Sequence, residues 1–146
     1  MTGIYQAQEC DFEAITAVWE ASVLATHDFL QEADIRALRP QVRMHYLPMV
    51  ELRVYRDEQH TIVGFLGVAE NRLEMLFVAP QAFGQGIGTQ LLRYATQHLG
   101  VNELDVNEQN PQALGFYQRQ GFVITGRSPL DGQGNPFPLL HLRYQP

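Results

Sequence analysis

At 146 residues, with 45% apolar and 18% charged side chains, the chain has the length and composition of one globular domain (residues 1–146) rather than a disordered segment. A formal net charge of −6 argues against a nucleic-acid partner, and no stretch approaches the ~18 consecutive apolar residues of a membrane span. The single cysteine, Cys10, excludes an intrachain disulfide, and the absence of a basic, then apolar, leader points to a cytoplasmic protein.

In chain order, Ile4–Gln6 reads as a short strand. Phe12, Ile15, Val18, Trp19 and Val23 then form a helical stripe, with Asp11 placed to cap it. A second helical stretch runs from about Glu32 to Leu47, with a break or a fresh helix start expected at Pro40. Three strands follow at Glu51–Arg56, Thr61–Ala69 and Arg72–Val78, and their short polar links favour antiparallel hairpins. After Pro80 the pattern changes. Gly84-Gln-Gly-Ile-Gly88 leads into a helix that carries Leu91, Leu92, Tyr94, Ala95 and Leu99, and Gly100 is placed to stop it. A strand at Val101–Val106 precedes a helix opened by Asn110 as N-cap and Pro111 at its first position. Phe122–Gly126 and Leu139–Tyr144 form a last hairpin. Such an order predicts an α/β or α+β sandwich around a mixed sheet.

The glycine loop Phe83–Thr89 between a strand and a helix suits a phosphate: glycines permit sharp turns, and the helix start offers unpaired N–H groups and a partial positive charge. A Walker loop requires a lysine that is missing before Thr89, and the dinucleotide pattern fails at Thr89 or at Leu91, depending on the starting glycine. A ligand-free glycine turn stays open from the loop alone.

The second motif is Asn110-Pro-Gln-Ala-Leu-Gly-Phe-Tyr-Gln-Arg-Gln-Gly-Phe122. Downstream of the glycine loop by one helix and one strand, it resembles the GNAT superfamily of acyl-CoA-dependent N-acetyltransferases. In that family a loop of pattern Arg/Gln-x-x-Gly-x-Gly/Ala is followed by Asn-x-x-Ala-x-x-Phe-Tyr-x-x-x-Gly-Phe, and the resemblance covers nearly the whole chain. Thr26-His-Asp-Phe-Leu30, Asn107-Glu-Gln-Asn110 and Pro136-Phe-Pro-Leu-Leu140 are similar to segments of small bacterial protein-lysine or N-terminal acetyltransferases. One departure is plain: Phe83 stands where the family's Arg or Gln heads the loop.

The resemblance implies a mostly antiparallel sheet of six to seven strands, flanked by about four helices and splayed at a central parallel pair. It implies acetyl-CoA as co-substrate and a primary amine as acceptor, on a protein or a small molecule, attacking directly in a ternary complex. Gly84, Gln85, Gly86, Ile87, Gly88 and Thr89 would hold the pyrophosphate, and Leu76, Phe77 and Val78 would flank the pantetheine arm and supply N–H donors to the carbonyl. Asn110 would meet the pantetheine, serve as helix cap, or both. Tyr117 would protonate the departing thiolate, since a phenol with pKa near ~10 keeps its proton at neutral pH. For the general base, Asp105 and His27 are the candidates, each with an alternative reading: a solvent-facing carboxylate for Asp105, a loop-fixing histidine for His27. A water chain is a third route.

Arg93 and Arg119 are either 3′-phosphate ligands or solvated helix arginines. Trp19, Phe29, Phe137 and Leu140 are candidates for the acceptor groove. The five histidines show no metal-ligand spacing, so no metal is expected. A monomer and a homodimer are both compatible with the sequence. The alternative function, motivated by Phe83, is a catalytically weak acyl-CoA-binding regulatory module.

Overall fold

The computed structural model describes residues 3–26, 30–132 and 134–146. Among the described residues seven strands and four α-helices follow in chain order: β1 (Gly3–Gln6), α1 (Phe12–Thr26), α2 (Glu32–Gln41), β2 (Glu51–Arg56), β3 (Ile62–Ala69), β4 (Arg72–Val78), α3 (Ile87–His98), β5 (Glu103–Asn107), α4 (Pro111–Arg119), β6 (Phe122–Ser128) and β7 (Leu139–Tyr144). They build one sheet in the order β1-β2-β3-β4-β5-β7-β6, in which only β4 and β5 are parallel. The expected mixed, mostly antiparallel sheet with four helices is what the chain forms.

β3 explains why the sheet is covered on both sides. Seven consecutive residues, Ile62–Val68, are buried, as in a strand whose two faces both meet other layers. One face meets α3: a Cβ on Gly64 would lie 3.1 Å from Ile87 and 3.2 Å from Leu91. The opposite face carries Phe65, stacked on Phe77 at 5.6 Å, and faces α1.

Two local expectations change. Asp11 does not cap α1 directly. The chain turns one step earlier, in a 3-10 turn (Glu9–Asp11) entered at Gln8, whose N–H donates to the Asp11 carboxylate at 2.9 Å. Pro40 does not break the second helix either. It lies one residue before the end of α2, and the chain continues as a π turn, Val42–Tyr46. A wider turn is a known way to absorb a disrupted hydrogen-bond ladder.

What positions the site is a defect between β4 and β5. Their pairing consists of Arg72↔Glu103 and Leu73↔Leu104 and then stops. Just beyond, Glu74 is the extra residue of a bulge in β4, because Met75 pairs with Gly67 while Leu73 pairs with Val68. β4 bends away, and its pairing with β5 ends at Leu73, before Leu76–Val78.

Candidate active site

The gap between β4 and β5 opens a cavity of about 170 Å³ whose walls include Leu76, Phe77, Asp105, Asn107, Asn110 and Tyr117. Two larger spaces adjoin it. Toward the glycine loop, a cavity of about 370 Å³ shares Leu76, Phe77, Asn110 and Tyr117 with the gap and reaches Val78, Phe83 and Gly88. On the α1 side, a chamber of about 480 Å³ shares Glu74, Met75 and Phe77 with it. The gap shares lining residues with both larger spaces and is the smallest of the three.

The glycine loop guards one end. Gly84 and Gly86 take left-handed φ values of 77° and 78°, which an L side chain disfavours, and Gly86 is the N-cap of α3. Gln90 makes the first intrahelical bond, to the Gly86 carbonyl at 3.0 Å. The N–H groups of Ile87, Gly88 and Thr89 therefore have no intrahelical acceptor, as expected for the first turn of a helix. Atoms added at Cβ of Gly84 or Gly86 would meet nothing within 4 Å, so open space lies over this turn. Phe83 is exposed at its edge. Among the described residues, Ser22 and Thr26 of α1 close the cavity from the other side; no periodicity signal marked them.

α4 supplies Asn110 and Tyr117. Asn110 is its N-cap, and the side-chain oxygen accepts the Ala113 N–H at 3.2 Å. That leaves its amide N–H₂ to face the two cavities it lines. Asn110→Ala should therefore cost about 1 kcal/mol of unfolding free energy from the lost cap alone. Urea unfolding measures it, and an unchanged midpoint would refute the capping role. Tyr117 packs its ring edge-on to Phe116 and Phe122, at 5.2 and 6.0 Å. Its hydroxyl has no hydrogen-bond partner among the described residues, and desolvation pushes its ionisation well above the usual tyrosine range. The group is a neutral donor at any physiological pH.

Asp105 stands on the opposite side of the gap, and it is neither free nor solvent-facing. One carboxylate oxygen accepts from Arg72 at 2.6 Å, and the other meets His141 Nδ1 at 2.6 Å. His141 Nε2 in turn lies 2.7 Å from Ser128 Oγ. The chain Arg72–Asp105–His141–Ser128 crosses β4, β5, β7 and β6 and ties the parallel pair together beside the point where it opens. Glu74, by contrast, has only a long contact, 3.6 Å, to Arg72, and it lines both the gap and the α1-side chamber. A lone carboxylate in the strand Arg72-Leu-Glu-Met-Leu-Phe-Val78 was the available sequence signal for it.

His27 and Phe29 lie outside the described residues. Arg93 and Arg119 are exposed on α3 and α4 and line none of these cavities. Leu140 is buried opposite Val106 and lines none of these cavities. Trp19 does line the α1-side chamber, and Phe137 borders a further hollow beside it. Cys10 is exposed.

The sheet is thus opened at its one parallel pair, with a glycine-capped helix nearby and a phenol lining the gap. The family description "Acetyltransferase (GNAT) domain" matches residues 26–137, and the chain belongs to this family. It is 40% identical over 144 residues, 99% of each chain, to the peptidyl-lysine N-acetyltransferase YjaB of Salmonella typhimurium. The solution structure of apo-form YjaB from Escherichia coli superposes with a TM-score of 0.87 at 37% identity, covering 99% of this chain and 97% of that one. The PaiA N-acetyltransferase of Thermoplasma acidophilum, solved in complex with coenzyme A, shares the fold at a TM-score of 0.76 and 21% identity, over 99% of each chain. The protein is an N-acetyltransferase that moves an acetyl group from acetyl-CoA to an amine.

Proposed function

We propose that this protein acetylates lysine side chains of peptides or proteins in the cytoplasm, with donor and acceptor bound together. The observation that carries this reading is the gap between β4 and β5, which Tyr117 lines with a hydroxyl unpartnered among the described residues and which shares walls with a space toward the glycine loop and with an apolar chamber. The peptidyl-lysine activity named for the YjaB relative supports the acceptor class. Among the described residues no helix is long and apolar enough to cross a membrane.

In this reading the pyrophosphate rests on the N–H groups of Ile87, Gly88 and Thr89, with Gly84, Gln85 and Gly86 shaping the turn. The pantetheine arm follows Leu76–Val78 in the gap where β4 and β5 part, and the Asn110 amide donates to it. The thioester then lies in the gap. A lysine ammonium, pKa about 10.4, must lose a proton before its nitrogen can attack. Glu74, at the boundary between chamber and gap, receives the ammonium and takes that proton, directly or through a water. Asp105, with both oxygens engaged, holds the opening of the gap rather than acting as the first base. The nitrogen forms the C–N bond, and as the tetrahedral intermediate collapses the C–S bond breaks, Tyr117 gives its proton to the sulfur, and the nitrogen's second proton returns to the phenolate through water. Strand N–H groups at Leu76–Val78 stabilise the oxyanion.

The test is direct. Purified protein, acetyl-CoA and a lysine-containing peptide should release CoA thiol in step with a peptide mass gain on lysine. Thiol release without peptide acetylation, or acetylation confined to small-molecule amines, would refute the proposal.

A further inference from the structure

The chamber on the α1 side is larger and greasier than a lysine alone requires. Trp19 of α1, Leu38 of α2, Val42 and Tyr46 of the π turn, and Met75 and Phe77 of β4 surround about 480 Å³. Four methylenes of a lysine stem occupy a small part of that space. Among its described lining residues Glu74 is the only charged one, and it stands where the chamber meets the gap. An apolar chamber with one carboxylate at its inner end complements a particular shape of ligand: a single ammonium attached to an apolar body. A polyamine would leave its remaining cations in an apolar wall, at the cost of desolvating unpaired charges.

Resting on the peptidyl-lysine reading above, we propose that the acceptor is a lysine with a large apolar residue beside it in the sequence. That neighbour fills the chamber between Trp19, Val42 and Met75 while Glu74 meets the lysine ammonium. The bulge at Glu74 makes this possible, because it turns the carboxylate to the boundary and keeps Met75 and Phe77 on the chamber wall. Ala69, at the end of β3, is the smallest side chain on that wall and sets how much room the neighbour has.

The experiment compares three peptides that differ only at the residue next to the acceptor lysine, Leu, Gly or Asp, placed on each side in turn. The wild-type protein should favour the Leu peptide over the Gly peptide in kcat/KM by roughly tenfold or more, with the Asp peptide poorer still. Ala69→Phe, which takes up part of the chamber, should erase the Leu preference by lowering kcat/KM for the Leu peptide more than for the Gly peptide, with the KM for acetyl-CoA unchanged within about twofold. Val42→Thr, which keeps the volume but adds a hydroxyl, should weaken the same preference and serves as a second variant should Ala69→Phe fail to fold. Equal turnover of the three peptides by the wild-type protein would overturn the inference and leave the peptidyl-lysine reading standing. So would a Leu preference that survives in a folded Ala69→Phe protein. A wild-type preference for hexanoyl-CoA over acetyl-CoA that Ala69→Phe abolishes would assign the chamber to the donor's tail and overturn it as well. No acetylation of any peptide would refute the peptidyl-lysine reading itself, and this inference with it.

Discussion

Tyr117→Phe is expected to lower kcat by about 10²–10⁴-fold, the usual contribution of a positioned general acid, with little change in acetyl-CoA affinity. The substitution removes one oxygen. The ring contacts to Phe116 and Phe122 stay, so the cavity wall keeps its shape. No hydrogen bond among the described residues is lost, because the hydroxyl has none. The stability of the variant should therefore match the wild type, which separates the chemical role from a structural one. The raised ionisation of Tyr117 carries a further consequence: the phenol stays protonated as the pH climbs, so its loss of the proton should not produce an alkaline fall in kcat within the ordinary tyrosine range. Steady-state thiol release with a lysine peptide from pH 6 to about 10 measures both effects. Full turnover by the phenylalanine variant would remove Tyr117 from the reaction.

Gly86→Val should raise the KM for acetyl-CoA by roughly tenfold or more, through two effects that act together. The first is conformational: Gly86 holds φ at 78°, and a β-branched residue there costs on the order of 1–2 kcal/mol. The second is steric. The added side chain would project into space that no protein atom occupies within 4 Å, the space over the N–H groups of Ile87, Gly88 and Thr89. The anion proposed to rest there would lose its approach to backbone donors, and these donors, rather than a cationic side chain, dominate a loop headed by Phe83. Calorimetric titration with CoA, alongside far-UV circular dichroism to confirm that α3 persists, measures it. Unchanged CoA affinity in a folded variant would place the pyrophosphate elsewhere.

Both predictions concern features legible before any fold was known, and the reason is that both are local. A strand–glycine–helix junction is specified by residues adjacent in the chain, as are Asn110 at an N-cap and Tyr117 two turns later on the same helix face. The strands β2, β4 and β7 could be bounded to the residue for the same reason, since polar turns, Pro80 and the Pro136–Pro138 stretch punctuate them. The family resemblance added what locality cannot supply, the splay and the roles proposed for Leu76–Val78, Asn110 and Tyr117.

Other parts were not legible, because they depend on which distant segments pair. Nothing near Leu139–Tyr144 states that this strand inserts between β5 and β6 rather than extending the sheet at its edge. That insertion sets His141 against Asp105 and Ser128 against His141, residues 36 and 13 apart in sequence. Asp105 could be picked out as a carboxylate of interest, but its engagement by Arg72, 33 residues away, decides that it braces the gap. Glu74 drew no attention as one acid in an apolar strand. It becomes the group between chamber and gap only through a bulge whose existence depends on the register of β3 against β4. By itself, then, the sequence determined the elements, the glycine turn and the phenol, each through short-range sterics and hydrogen bonding. The tertiary structure decided where the sheet opens, which carboxylate lines both chamber and gap, and how large that chamber is, because these follow from long-range strand pairing and from the volume left between packed layers.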